Sequence, residues 1–136
     1  MSKVFIDTNV LIYSVDAAAG RKRNRALDLV DTHARARTGV ISTQVLQEFY
    51  SAATRKLGIA PLDAKQHIRD FHLFDIIQVT PALIEDGIDC SILNQVSFWD
   101  ALVVTTAATS GCSELLSEDL NAGQTIQGVT VTDPFN

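Results

Sequence analysis

Four acidic side chains are spaced along the chain so that only folding can bring them together. They are Asp7, Glu48, Asp100 and Asp119, separated by 41, 52 and 19 residues. Clustered carboxylates repel one another and raise one another's pKa unless a cation compensates their charge. Hard oxygen ligands of this kind favour Mg²⁺ or Mn²⁺. A metal held in this way activates water and stabilises the oxyanions of an in-line displacement at phosphorus. The four acidic residues therefore indicate metal-assisted phosphoester chemistry, which needs no catalytic His or Cys.

Each of these acids also has an ordinary structural explanation. Asp7 suits a turn or a helix cap, and Asp119 suits a turn. Asp100 fits the capping-box pattern in the segment Ser97-Phe98-Trp99-Asp100, and Glu48 suits a solvated helix face. Taken singly, each acid is best explained by structure. Taken together, at equivalent ends of strand–helix units, the four acids favour a site.

The elements that position these acids follow from the hydrophobic pattern, in which short apolar runs alternate with helical periodicity. Strands are predicted at residues 3–6, 39–43, 76–79, 114–117 and 129–132. Helices are predicted at 10–15, at 21–36, from residue 43 to 57, at 63–74, at 81–93 and from 97 to about 111. Thr8 or Asn9 is the expected cap of the first helix. The pattern leaves open whether the last strand is antiparallel or lies at an edge.

This alternation of strands and helices predicts right-handed crossovers and a mostly parallel central sheet flanked by helices. In open sheets of this class, sites form at the carboxyl ends of the strands. Asp7 and Asp119 come just after predicted strands, while Glu48 and Asp100 lie in the first turns of predicted helices. The fold class therefore predicts that the four acids converge at one edge of the sheet.

Length and composition predict a single globular domain over residues 1–136. The chain is 46% hydrophobic and 20% charged, which is typical of a folded protein with a substantial core. Its two cysteines, Cys90 and Cys112, are too few for a disulfide scaffold, and we expect reduced core thiols in a cytoplasmic protein. No run of about 18 apolar residues occurs, so neither a signal peptide nor a membrane span is expected.

Charge is distributed very unevenly along the chain. Residues 1–69 contain all 11 basic residues and 6 acidic ones, whereas residues 70–136 contain 10 acidic residues and no Lys or Arg. Such asymmetry favours a nucleic acid or a charged protein as partner, although a solvated surface also accommodates it.

Four segments together resemble a known family. They are FIDTNVL, Gln47-Glu48-Phe49, SFWDAL and LLSEDLNAG, in this order. The chain is similar, from Lys3 to Phe135, to the PIN domain and specifically to the VapC-like toxins of bacterial toxin–antitoxin pairs. The resemblance implies a three-layer α/β sandwich and a Mg²⁺- or Mn²⁺-dependent endoribonuclease that cuts RNA phosphodiester bonds. It also implies a homodimer that is inhibited by a small antitoxin protein.

The resemblance assigns a role to each acid. Asp7 and Asp100 match the principal metal ligands, and Glu48 and Asp119 complete the catalytic and metal site through water or a second metal. Thr8, Asn9 and Ser117 are expected to orient carboxylates or water by hydrogen bonds. Family members often carry Phe after the last acid, where this chain has Leu120-Asn121-Ala122-Gly123.

Two further features remain open between a functional and a structural explanation. The basic run Arg21, Lys22, Arg23 and Arg25 suits RNA phosphates, an acidic antitoxin segment or a solvated helix start. For Phe98 and Trp99, core packing or a dimer contact is favoured over base stacking.

Alternative functions differ in class. The first is a non-catalytic PIN-like module that binds protein or RNA, against which all four acids argue. Another Mg²⁺-dependent phosphotransfer domain is the second. A phosphatase of the Asp-x-Asp type requires an acid where Asn9 stands, and a P-loop motif does not occur in the sequence. A response-regulator receiver requires a late lysine, and none follows Lys65.

Overall fold

Strands and helices alternate along the folded chain, and a computed structural model describes residues 2–136. The strands are β1 (Lys3–Ile6), β2 (Gly39–Ser42), β3 (Asp75–Ile77), β4 (Cys112–Leu116), β5 (Thr125–Ile126) and β6 (Val129–Thr132). The helices are α1 (Thr8–Val15), α2 (Arg21–Ala36), α3 (Thr43–Arg55), α4 (Pro61–Asp70), α5 (Pro81–Asn94) and α6 (Phe98–Thr109), with a 3₁₀ turn at Phe71–Leu73.

The strands form one six-stranded sheet in the order β3-β2-β1-β4-β6-β5. The neighbours β3–β2, β2–β1, β1–β4 and β4–β6 are all parallel, and only β6–β5 is antiparallel. Parallel neighbours need crossover connections. Helices supply them for the first three pairs, whereas residues 117–128, which contain β5 and no helix, connect β4 to β6. The predicted α/β fold with a mostly parallel sheet flanked by helices is therefore confirmed.

The central strands are buried on both faces, as expected when helices cover a parallel sheet. Phe5, Ile6 and Ile41 are fully buried, and Phe49 of α3 is fully buried in the same core. This packing holds β1 in the middle of the sheet. The residue directly after its carboxyl end, Asp7, therefore has a well-defined position.

The last strands differ from the sequence-based description. β6 is parallel and lies inside the sheet, whereas the antiparallel edge strand is β5, which the pattern did not predict. β5 has only two residues, too few to show an alternating pattern. It turns into β6 through Gln127 and Gly128, whose φ angles of 53° and 80° are both positive, as a type I′ hairpin turn requires.

Two helix boundaries also need correction. The cap of α1 is Asp7, not Thr8 or Asn9: the Asp7 backbone is extended, and its side chain accepts a hydrogen bond from the Thr8 N–H. The helix predicted for residues 63–74 ends at Asp70 and continues as the 3₁₀ turn. That turn buries Phe71.

Among residues 2–136, no helix is long and apolar enough to cross a membrane. Cys90 and Cys112 are buried free thiols, in agreement with the predicted core positions.

Candidate functional site

The four acids singled out by their spacing line one cleft of about 770 Å³. Asp7 follows β1 directly, and Asp119 follows β4 by three residues. Glu48 projects from α3, and Asp100 lies in the first turn of α6. Elements far apart in the sequence thus bring these side chains to one place, where the sheet topology predicted them.

Asp7 is the most buried of the four, with 9% of its surface exposed. Its carboxylate accepts hydrogen bonds from the Ser117 hydroxyl and from the Thr8 N–H, each 2.8 Å long. The pKa of Asp7 is nevertheless raised from 3.8 to about 6, mainly by burial and to a smaller extent by the charges of Glu48 and Asp119, which together outweigh the lowering effect of the two hydrogen bonds. The carboxylate is therefore held in place in surroundings that favour its neutralisation.

Polar side chains of α1 contact two further carboxylates of the cleft, those of Glu48 and Asp119. The Thr8 hydroxyl donates to Glu48 Oε1 at 3.0 Å. The Asn9 amide donates to Asp119 Oδ2 at 3.1 Å and to Ser117 Oγ at 3.2 Å. The three residues predicted to orient the acids thus each contact an acid, while their part in a reaction stays a prediction.

Asp100 is half-buried, and its backbone explains part of its position. The Ser97 hydroxyl accepts a hydrogen bond from the Asp100 N–H at 3.2 Å and caps α6. This bond engages the backbone of Asp100 and not its carboxylate. Helix capping therefore explains why Ser97 stands at this position, and it leaves the carboxylate of Asp100 free for another role.

Negative charge is in excess in the cleft. Five carboxylates line it, those of Asp7, Glu48, Asp100, Glu118 and Asp119, against two basic side chains. Such an excess favours binding of a cation, and the donors are the hard oxygens that Mg²⁺ and Mn²⁺ prefer. Within residues 2–136, however, no three acidic, His or Cys side chains are already close enough to form a metal centre. The chemistry of the donor set fits a divalent cation, whereas its ligand sphere is not preassembled.

The two basic residues of the cleft are Arg55 and Lys56. The sequence pattern predicted only that they lie near the end of a helix. They lie seven and eight positions after Glu48, on the same face of α3 as Ser51 and Ala52, which also line the cleft. Helical spacing counted from Glu48 was the signal that would have found them.

The basic run at the start of α2 is placed differently from Arg55 and Lys56. Arg21 and Arg23 are exposed and are not among the residues that line the cleft. Lys22 pairs with Glu118 at 2.6 Å, and the Arg25 Nε donates to the Pro134 carbonyl at 3.1 Å. Only Lys22 therefore reaches the wall of the cleft, through its acidic partner.

Trp99 does not pack in the core. Its side chain is 62% exposed and lines the cleft beside Asp100, so core packing is wrong for this residue, whereas the dimer contact stays a prediction. The neighbouring Phe98 is partly buried and contacts the indole edge to face, with ring centroids 5.1 Å apart.

Comparisons with known proteins agree with this fold. A family model described as the PIN domain matches residues 4–125. The structure is similar to VapC20 of Mycobacterium tuberculosis, a sarcin–ricin loop cleaving toxin, with 20% identity, a TM-score of 0.71 and coverage of 86% of this chain and 90% of that one. A toxin–antitoxin complex from Klebsiella pneumoniae matches with 23% identity and a TM-score of 0.70, and 98% of each chain is covered. VapBC2 of Rickettsia felis, bound to a promoter DNA fragment, matches with 15% identity and a TM-score of 0.68 over 94% of this chain and 96% of that one. No curated protein matches the sequence. At these identities the solved structures establish a shared fold.

Proposed function

Because this chain belongs to the PIN domain family, we propose that it is a metal-dependent endoribonuclease and the toxin of a toxin–antitoxin pair. The observation that carries the proposal is the convergence of Asp7, Glu48, Asp100 and Asp119 in one cleft. Support comes from the similar VapC20 structure, whose protein cleaves the sarcin–ricin loop. Fold alone does not fix function, and the side chains of the site therefore carry the proposal.

The proposed cofactor is Mg²⁺ or Mn²⁺, with Asp7 and Asp100 as principal ligands and Glu48 and Asp119 completing the site. When bound, such an ion lowers the pKa of water and offsets negative charge at a phosphate. The chain's own contribution is to hold the carboxylates: Ser117 and the Thr8 N–H fix Asp7, and Asn9 fixes Asp119. Fixed ligand orientations of this kind lower the reorganisation needed when a cation binds.

The same residues restrain the loop after β4. The Asn9 side-chain oxygen Oδ1 accepts a hydrogen bond from the Glu118 N–H at 3.2 Å, while the Asn9 side-chain Nδ2 donates to Asp119. Glu118 is in turn held by Lys22 and by the Tyr13 hydroxyl, which donates to it at 2.5 Å. The position of Asp119 is thus tied to α1 and α2, which compensates for its place on an exposed loop.

RNA is the proposed substrate, and Arg55 and Lys56 are the proposed phosphate contacts. Without them, an acidic cleft repels a polyanion. We expect the changes Arg55→Gln and Lys56→Gln each to weaken RNA binding for all sequences alike, and to reduce the slope of log K against log salt by about 0.7 per residue. Binding to a labelled single-stranded RNA over a range of salt concentrations measures this slope.

Lys65→Gln is the matched control for these two variants, since Lys65 is exposed on α4 and is not among the cleft residues. It removes the same charge from the chain as a whole. Equal effects of all three substitutions would mean that net charge matters and that the cleft contacts do not.

Proposed partners also include an antitoxin protein and a second copy of the chain in the cytoplasm. The similar structures from Klebsiella pneumoniae and Rickettsia felis are of toxin–antitoxin assemblies. The exposed Arg21 and Arg23 provide positive charge outside the cleft, where an acidic antitoxin segment or RNA finds a complementary surface.

Cleavage of a panel of structured RNAs, assayed in Mg²⁺, in Mn²⁺ and in EDTA, tests the proposed activity. We expect cutting with either metal and none in EDTA. Failure of folded, antitoxin-free and metal-loaded protein to cut any RNA would favour the non-catalytic binding module. Cutting that persists in EDTA would contradict metal dependence.

A further inference from the structure

A large aromatic side chain is exposed directly beside the acidic site. Trp99, the only tryptophan of the chain, precedes Asp100 and is 62% exposed. Phe98 contacts one edge of its ring, with an interplanar angle of 68°. The indole therefore presents an apolar face that a ligand bound at the acidic site can cover.

A side pocket of about 370 Å³ opens beside this indole. It is lined by Gln44, Gln47, Glu48, Ser51 and Trp99. Gln44 is 5% exposed, and its Nε2 donates to the Trp99 carbonyl oxygen over a long distance of 3.4 Å. Within the described chain, Gln44 Oε1 is buried and has no hydrogen-bond partner. A buried acceptor without a partner is unfavourable and rare in folded proteins.

We propose that this side pocket holds one base of the RNA, stacked on Trp99 and hydrogen-bonded by Gln44. The inference rests on the proposed ribonuclease function and adds a subsite to it. Single-stranded RNA is recognised mainly by stacking of unpaired bases on aromatic side chains and by hydrogen bonds to base edges. Trp99 supplies the first kind of contact and Gln44 the second.

The layout of α3 supports RNA as the occupant. Gln44 lies near the start of the helix and Arg55 at its end, eleven positions apart, which is about 16 Å along a helix. Glu48 lies between them on the same side of the cleft. A strand whose phosphates contact Arg55 and Lys56 therefore passes the acids before one of its bases reaches Trp99.

Gln44 gives the subsite a hydrogen-bond acceptor for the base. Its free oxygen accepts from an N–H on a base edge, which is an exocyclic amino group in adenine, guanine or cytosine and the ring N3–H in uracil. The oxygen is covered in the free protein, and the amide must turn to meet the base. Its long bond to the Trp99 carbonyl makes this turn inexpensive, since hydrogen bonds of that length are weak.

Fluorescence of the single tryptophan tests the stacking directly. In EDTA, single-stranded RNA oligonucleotides are expected to quench the tryptophan emission of the protein. An oligonucleotide with the same phosphates but abasic sugars is expected to bind without quenching.

The variant Trp99→Ala is expected to lose about tenfold to a hundredfold in RNA affinity, as stacking residues do. Tyr50→Ala is the matched control, because Tyr50 is an exposed aromatic of α3 that is not among the cleft residues. Equal quenching by abasic and normal RNA would overturn the proposal.

Base preference tests the role of Gln44. In a library of RNAs varied around one cleavage site, Gln44→Leu is expected to change the base preference at one position while its cleavage keeps the same metal dependence. Unchanged preference in Gln44→Leu together with an altered oligomeric state of Trp99→Ala would overturn the subsite and assign Trp99 to an interface between copies. The proposed nuclease and the proposed subsite are tested by different results. Absence of RNA cleavage by the wild type would contradict the nuclease, whereas quenching that depends on the bases would still support the subsite.

Discussion

Replacement of Asp7 by Asn is expected to reduce metal-dependent RNA cleavage by on the order of a thousandfold or more while the fold is retained. Asn has the shape of Asp, so the Thr8 N–H keeps an acceptor and the Ser117 hydroxyl keeps a polar partner. What is lost is the charge at the position that is proposed to hold the cation. A bound metal contributes several kcal/mol of charge stabilisation, and each 1.36 kcal/mol changes the rate tenfold.

The measurement is the initial rate of cleavage in Mg²⁺ for the wild type, Asp7→Asn and Asp100→Asn, with circular dichroism to verify folding. Asp89→Asn is the matched control, since Asp89 is an exposed acid of α5 that is not among the cleft residues. We expect this control to cut at the wild-type rate. Wild-type rates for purified Asp7→Asn and Asp100→Asn would refute the proposed site.

The position of the acids could be predicted because it depends on local signals. Asp7 follows a short apolar run that ends abruptly, and parallel strands place such residues at one edge of the sheet. Thr8, Asn9 and Ser117 could be predicted as their hydrogen-bond partners only through the family resemblance, since the contacts of Ser117 span 108 and 110 residues. The convergence is a property of topology, and topology followed from the alternation of elements.

The rest of the cleft depends on packing that periodicity does not encode. Arg55 and Lys56 read equally well as ordinary basic residues at a helix end, because dipole complementarity and phosphate binding favour the same residue types. The exposure of Trp99 depends on how α6 packs beside α3, and an aromatic residue in an apolar segment is most often buried. β5 has only two residues and pairs with β6, so it is too short to show the alternating pattern by which a strand is predicted.

Asp7 is also expected to make the metal-free protein less stable as the pH rises from about 4 to about 6. Its pKa is raised to about 6 in the folded state from an ordinary 3.8, so the folded state binds the proton more tightly than the unfolded state does. Below about pH 4 both states carry the proton and there is no penalty. Above about pH 6 the folded protein holds a buried charge, which costs roughly 3 kcal/mol at 1.36 kcal/mol for each pKa unit.

Urea unfolding of the wild type and Asp7→Asn in EDTA, at pH 4, 5, 6 and 7, measures this penalty as a difference between the two proteins. We expect Asp7→Asn to be more stable at pH 7 by up to about 3 kcal/mol and nearly equal at pH 4, because the other carboxylates titrate in both proteins. Asp89→Asn controls for loss of a carboxylate outside the cleft.

Added Mg²⁺ at pH 7 should then stabilise the wild type and leave Asp7→Asn unchanged, since only a protein that binds the ion gains from mass action. A stability difference independent of pH would show that burial of Asp7 carries no charge penalty. An equal response of both proteins to Mg²⁺ would place the cation elsewhere. Together, the pH dependence and the Mg²⁺ response would show that the buried charge of Asp7 destabilises the metal-free protein and that a bound cation offsets this destabilisation.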